Sequence, residues 1–303
     1  MKKSVLFLLL SIFTSLHAEL YESRWLDGEQ LPITTQNIKV LDLKEVIFPR
    51  SDLFYGLSDL AYREGKLYAL SDKGVLFLLD IKIEDTKISS LELKHTYLLK
   101  NKKYKELKKS KSDAEGLCFY GDNLLISFER KHRIDLYTPK GVKLQKMKLH
   151  PYLRDKNHFI GKNKGLESVV YCTKYGILTT PELDVEDSNL HTLYSKNTLY
   201  KFYAKGSVTA MEFMDKDKLL VLTREFHYFS RERVTRMYRL DLSKCKQGRC
   251  QSEELASFQS QKGFHIDNFE GLTKVSKNRY LMISDDNESF LQKTLLVLFE
   301  VLD

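Results

Sequence analysis

Acidic residues return at a fixed place in a repeated pattern, and they are the residues of this chain best suited to chemistry. The first block is Gly56-Leu57-Ser58-Asp59, followed after a turn at Glu64-Gly65 by a short apolar run ending in Ser71-Asp72. The second opens with Asp113-Ala114-Glu115-Gly116-Leu117 and ends in Glu129-Arg130. The third opens with Gly165-Leu166-Glu167 and ends in Pro181-Glu182. The fourth runs from Val208-Thr209-Ala210-Met211-Glu212 to Thr223-Arg224-Glu225, and the fifth from Asn268-Phe269-Glu270-Gly271-Leu272 to Ser284-Asp285-Asp286-Asn287. Within a block, the first and last acids lie 13 to 16 residues apart.

If each block is a pair of antiparallel strands, its first acid opens the pair and its last acid closes it, so both lie at the same end. Asp59, Asp72, Glu115, Glu129, Glu167, Glu182, Glu270, Asp285 and Asp286 are then expected to converge, with Glu212 and Glu225 standing for the fourth copy. Two carboxylates about 6 Å apart repel by roughly 3 kcal/mol at an effective dielectric near 20, so a ring of them needs an answer. A bound cation, paired Arg and Lys, or raised pKa values would each serve. Oxygen ligands from many directions suit Ca²⁺ best, with Mg²⁺ or Mn²⁺ behind it. The plainer alternative is that each acid bonds backbone N–H groups or an arginine of the next repeat.

Basic residues fill the neighbouring loops. Seven lysines lie between Lys100 and Lys111, while Arg130, Lys131, His132 and Arg133 follow the last acid of the second block, and Arg224, Arg231, Arg233 and Arg236 mark the fourth. They read either as solvated loops or as a cationic rim that draws in an anion such as phosphate. Other chemistry finds no footing. There is no G-x-S-x-G elbow, no G-x-x-x-x-G-K loop and no H-E-x-x-H among the eight histidines. His132, His158, His227 and His265 read as plain hydrogen-bonding residues that could also face a channel as acid or base.

The elements that must position these acids are strands. Lys66-Leu67-Tyr68-Ala69-Leu70, Leu124-Leu125-Ile126-Ser127-Phe128 and Tyr280-Leu281-Met282-Ile283-Ser284 are short apolar runs bounded by Gly, Asn, Asp and Lys. More strand candidates fill each gap: residues 75–79, 91–99, 134–137 and 235–242. The repeat period is roughly 45 to 60 residues, and four strands per repeat at that spacing predict β-propeller blades. A β-sandwich with accidental similarity is the alternative. The expectation is an all-β chain with a single β-propeller of five four-stranded blades. Residues 38–43 and 295–299 complete one shared blade and close the ring. Residues 194–203 hold more strand than five blades place, which leaves a sixth, degenerate blade open.

Ends and composition bound the setting. Lys2 and Lys3, an apolar run over residues 5–10 and the small residue Ala18 resemble a secretory signal peptide over residues 1–18. An uncleaved membrane anchor is the alternative, although the apolar run falls short of the roughly 20 residues a span needs. Residues 19–303 then form one domain in the periplasm or outside the cell, with no stable membrane insertion. Without Lys2 and Lys3, 47 Lys+Arg face 41 Asp+Glu. That mild basic excess favours an anionic small molecule over nucleic acid. No heptad or amphipathic helix stands out, so a monomer is expected. In an oxidising compartment Cys245 and Cys250, five apart in a polar turn, are expected to pair, whereas Cys118 and Cys172 read as buried free thiols.

Taken in order, these blocks resemble the phytase-like propellers described by "esterase-like activity of phytase". The carrying residues are Gly56-Leu57-Ser58-Asp59, Leu70-Ser71-Asp72-Lys73-Gly74, Asp113-Ala114-Glu115-Gly116-Leu117, Glu129-Arg130, Asn163-Lys164-Gly165-Leu166-Glu167, Leu222-Thr223-Arg224, Asn268-Phe269-Glu270-Gly271-Leu272 and Ser284-Asp285-Asp286-Asn287. The resemblance implies an exported propeller with functional acids at the channel mouth. The phytase propellers that lend the family its name use Ca²⁺ to hydrolyse phosphate monoesters. Two blocks depart from the pattern: Thr209-Ala210-Met211 holds no acid, and Pro181-Glu182 replaces Ser-Asp. The leading expectation is a metal-dependent phosphoester hydrolase. Glu115, Glu167, Glu270 and Asp286 would hold the cation that activates water, while Arg130, Arg224 and Lys164 steady phosphate oxygens. A non-catalytic binding propeller and a calcium-dependent lactonase or carboxylester hydrolase are the alternatives.

Overall fold

The computed structural model describes residues 16–49, 53–108, 111–154, 165–183, 189–287, 289 and 292–302. The expected signal peptide falls mostly outside them, as do Lys164 and His158. Short runs of alternating burial become antiparallel strands, and among the described residues there is no α-helix, only single turns of 3-10 helix. Among the described residues no helix is long and apolar enough to cross a membrane.

Four strands form before the first acidic block: β1 (Leu16–His17), β2 (Glu19–Glu22), β3 (Ile33–Thr35) and β4 (Ile38–Ile47). Blade 1 comprises β5 (Leu57–Arg63), β6 (Lys66–Ser71), β7 (Val75–Glu84) and β8 (Lys87–Leu98). Blade 2 comprises β9 (Ala114–Tyr120), β10 (Asn123–Phe128), β11 (Arg133–Tyr137) and β12 (Lys143–Lys146). Blade 3 comprises β13 (Leu166–Cys172), β14 (Gly176–Pro181), β15 (Leu190–Tyr194) and β16 (Leu199–Tyr203). Blade 4 comprises β17 (Ser207–Phe213), β18 (Lys218–His227), β19 (Glu232–Asp241) and β20 (Ser252–Gln259). Blade 5 joins β21 (Asn268–Lys274), β22 (Arg279–Asp285) and β23 (Leu295–Val301) to β4, which pairs along β23 from Leu295↔Glu45 to Val301↔Ile38. The ring is therefore a five-bladed β-propeller closed by strands from both ends of the chain. The described residues form no sixth blade: residues 194–203 belong to the outer strands of blade 3, where β15 and β16 pair from Leu190↔Tyr203 to Tyr194↔Leu199.

Every blade is apolar on both faces because it is packed between two others. Five buried clusters result, one per interface. Leu60, Phe77, Leu281 and Leu296 join blades 1 and 5, while Leu70, Leu76, Leu124 and Phe128 join blades 1 and 2. The single tryptophan, Trp25, is buried against Phe258 and Phe269 where blades 4 and 5 meet. Cys245 and Cys250 form the expected disulfide. Cys118 and Cys172 are free, but both are half-buried instead of fully buried, because they stand toward the open ends of β9 and β13.

Around the channel the innermost strands approach until their main chains touch. A Cβ on Gly116 would lie 2.6 Å from the Val169 nitrogen and 2.8 Å from the Ser168 Cα of the next blade. A Cβ on Gly271 would lie 2.9 Å from the Cα of Asp59. Replacing either glycine by alanine is expected to cost about 1–3 kcal/mol through overpacking, read as a lower denaturant midpoint. An unchanged midpoint would show that the inner strands are not held this close.

Candidate functional site

The inner pair of every blade carries the same irregularity. Its register is Leu57↔Ser71 then Asp59↔Leu70 in blade 1, and Leu166↔Pro181 then Ser168↔Thr180 in blade 3. The same one-residue shift follows Ala114↔Phe128, Val208↔Thr223 and Phe269↔Ser284. Each shift is a β-bulge, which inserts one unpaired residue and re-aims its side chain. The inserted residues are Ser58, Glu115, Glu167, Thr209 and Glu270. Blades 2, 3 and 5 thus contribute a glutamate at equivalent positions. Blades 1 and 4 contribute hydroxyls, which bond the carbonyls of Ala114 at 2.7 Å and Phe269 at 3.2 Å on the neighbouring blade.

A second tier sits where the returning strand ends. Extending the registers past the bulge places Asp72, Glu129, Glu182, Arg224 and Asp285 at equivalent positions. Blade 4 thus presents a cation where the other four present an acid. Asp113, the residue opposite Glu129, adds a further carboxylate. Two triads arise: Asp113, Glu115 and Glu129 offer oxygens within 4.8 Å of one another, and so do Glu129, Glu167 and Glu182. Glu129 is common to both.

The charges strain against one another. Burial pushes Glu115 and Glu167 well above the usual carboxylate range, and neighbours add to it: Glu167, Glu270 and Glu129 act on Glu115, and Glu182 and Glu270 act on Glu167. Burial also raises Glu270, although Arg224 and the Asn268 amide pull it back. Asp285 is pushed up to about 7 by burial and then by Glu270. Burial works against the Arg224 charge, but Glu270, Glu167, Glu182 and Asp285 outweigh it and hold the guanidinium charged. Its Nη1 lies 3.1 Å from Glu270 Oε1 and donates to Asn268 Oδ1, whose amide in turn donates to Glu270 Oε1 at 2.7 Å. Arg130 Nε reaches Asp113 Oδ2 at 3.2 Å, and Lys73 reaches Asp72 Oδ2 at 3.2 Å. A cavity of about 670 Å³ opens beside this tier, lined by Glu182, Arg224, Phe226, His227, Arg233 and Asn268.

Four other acids singled out in the sequence are engaged in contacts of their own. Asp59 is one residue past its bulge, in line with Gly116 and Gly271, and is buried in the channel wall. Its Oδ1 accepts the amides of Leu60 at 2.8 Å and Leu272 at 3.1 Å, and its Oδ2 accepts that of Leu117 at 2.6 Å. It ties blade 1 to blades 2 and 5. Glu212 lies near the end of β17, at the opposite mouth, accepts the amides of Phe213 and Lys274, and is pushed by burial to about 7. Glu225 pairs with Arg236 at 2.5 Å. Asp286 is held by the Gly56 amide at 3.3 Å and the Thr294 hydroxyl at 3.2 Å, which stitches blade 5 to blade 1. Of the histidines, His265 bonds Asp27 at 2.7 Å, His227 lies 3.8 Å from Glu225, and His132 packs against Gly165. Asp113 joins the site although nothing in the sequence marks it as a ligand beyond its place two residues before Glu115. With Leu60, Leu117, Val169, Met211 and Leu272 in register, Asp59 falls in line with Gly116 and Gly271 and apart from the glutamates.

Residues 52–288 match the family described as "Phytase-like: Esterase-like activity of phytase". No curated protein matches the chain. The fold is similar to that of glutaminyl cyclase from Myxococcus xanthus, at 11% identity and a TM-score of 0.47 over 88% of this chain and 97% of that one. It is also similar to the PQQ-bound form of aldose sugar dehydrogenase from Streptomyces coelicolor, at 9% identity and a TM-score of 0.48 over 89% and 99%. Neither likeness speaks to chemistry.

Carboxyls with folded pKa values above their unfolded ones favour the fold while protonated and oppose it once ionised. In chelator, stability is therefore expected to fall as the pH rises from about 4, where free carboxyls titrate, to about 7, where Asp285 does. Melting curves against pH check this.

Proposed function

The chain belongs to the phytase-like family, and from that premise we propose that it hydrolyses phosphate esters at the acidic mouth with the help of a divalent cation, Ca²⁺ before Mg²⁺ or Mn²⁺. One observation carries the reading: two carboxylate triads share Glu129, and the oxygens of each lie within 4.8 Å. Calcium–oxygen distances are about 2.3–2.6 Å, so two ligands of one ion stand at most about 5 Å apart, and the donor set fits. Asp113, Glu115 and Glu129, or Glu129, Glu167 and Glu182, would hold the ion, with Glu129 a ligand in either triad. A bound divalent cation supplies Lewis acidity, which polarises a phosphoryl oxygen and makes water more nucleophilic.

The chain's own residues supply the rest. Arg224, held charged by four carboxylates, is suited to take two phosphate oxygens in a fork. Arg130, nearly half exposed and tethered to Asp113, can swing onto a third oxygen. Asp285, pushed up to about 7, is the carboxyl best matched to accept and return a proton near neutral pH. The cavity beside Arg224 leaves room for the alcohol portion of an ester.

A second reading draws on Arg224 itself. A guanidinium in an acid's place neutralises part of the ring without a metal, which favours a mouth that holds an anion without turning it over. Lactones and carboxylesters are the other substrates a Lewis-acid site would serve. Chelation is expected to abolish phosphatase activity and Ca²⁺ to restore it. Glu115→Gln and Glu167→Gln should each lower kcat/KM about 100-fold while melting no lower than the parent in chelator. A Ca²⁺-dependent rise in melting point with no turnover of phosphate esters or lactones would favour the binding reading.

We also propose export. The charged start, short apolar core and Ala18 support it, and so does the Cys245–Cys250 bond, a pairing that persists in oxidising compartments. Cleavage after Ala18 would remove β1, which pairs with Leu93 and Glu92 on the edge of blade 1. Mass analysis of the protein recovered from a periplasmic fraction should find a chain that begins at Glu19. An intact start there would refute cleavage.

A further inference from the structure

The lysine-rich loops are only partly used by the mouth. β9 begins and β10 ends at the acidic face, and just beyond those ends, on the outer side of blade 2, lies a separate cavity of about 750 Å³. Lys111, Lys131, Lys146 and Lys148 line it, with Leu149 and Leu153 among its apolar walls.

Arg133 makes this a built feature. Its guanidinium lies 3.5 Å over the Phe128 ring and bonds Asp135 Oδ2 at 2.8 Å. It also donates to the carbonyls of Lys131, at 3.1 Å, and Lys111. One fixed side chain therefore pins both lysine-bearing loops to the edge of the cavity. Lys143 bonds the same Asp135 oxygen at 2.6 Å, so the carboxylate lining the cavity is already answered by two cations. None of the four remaining ammonium groups is paired with a carboxylate among the described residues.

Four lysines thus line one concavity with no carboxylate among the described residues to match them, an excess of positive charge that a multivalent anion would answer. Lysine acts on phosphate as a point charge that needs no fixed fork, so it suits phosphates presented in several orientations. We propose that this groove binds a compact polyanion carrying two or more phosphate groups, free or displayed on a lipid surface, independently of any cation at the mouth.

The test is calorimetric titration of the full chain with tripolyphosphate in EDTA, with flotation on vesicles of phosphatidylglycerol or phosphatidylcholine as a parallel arm. Saturable binding is expected, screened by salt, weakened at least tenfold in the Lys111→Gln/Lys131→Gln/Lys146→Gln/Lys148→Gln variant and kept in Glu115→Gln. Should the fourfold variant melt early, Lys148→Glu alone is expected to weaken binding several-fold. Binding of tripolyphosphate assigns the groove to soluble phosphates, and binding of phosphatidylglycerol vesicles alone assigns it to a lipid surface. No binding in either arm, equal binding by the lysine variants, or loss of binding in Glu115→Gln would overturn the proposal.

Discussion

The close approach of five inner strands is the constraint on which the rest of this molecule depends. A five-bladed ring leaves a channel so narrow that adjacent backbones meet, and glycine is required where they do, at Gly116 and Gly271. The same crowding converts side chains into cross-ties between blades. Ser58 and Thr209 bond the carbonyls of the next blade, and Asp59 gathers amides from its own and two other blades. Sheet hydrogen bonds hold each blade together; these contacts and five apolar interfaces hold the blades to each other.

A bulge at one height in every blade then decides what the channel mouth contains. It sets one residue per blade out of the ladder, and in three blades that residue is a glutamate. The strand ends just above add four acids and one arginine. The result is a pocket of negative charge in a setting that disfavours it, since burial raises the pKa of Glu115, Glu167, Glu270 and Asp285 alike. Arg224 relieves Glu270 and Glu167 but leaves the triads around Glu129 in excess. Protonation of the raised carboxyls relieves this repulsion, and a bound cation would do so while leaving them ionised, which is the physical basis for proposing a cation at the mouth.

The acidic face is not uniform. Outward from blade 2 the sign reverses, and lysines surround a cavity whose carboxylate is already matched. An anion approaching this face meets attraction from the groove and repulsion from a mouth that holds no cation. The two regions differ by only a few residues of chain: Glu129 belongs to the triads, Arg130 tethers to Asp113, and Lys131 lines the groove.

Much was legible in the residues alone. Period, strand length and turn chemistry implied five blades closed by both ends of the chain, because alternating burial is written residue by residue. The convergence of acids at one mouth followed from strand direction. The tier each acid occupies did not follow, because a bulge is a property of hydrogen-bond register, and a one-residue slip carries a side chain to another place. That slip separates Asp59, saturated by amides in the channel wall, from Glu115, which it resembled in sequence. Residues 194–203 suggested a sixth blade for a similar reason: a strand pattern does not say which sheet its edges join. The sequence by itself determined which groups are ionisable and how often they recur. The tertiary structure decided which of them share a space, because burial and proximity, not identity, set whether a carboxylate ties a backbone, pairs with an arginine or crowds against other carboxylates.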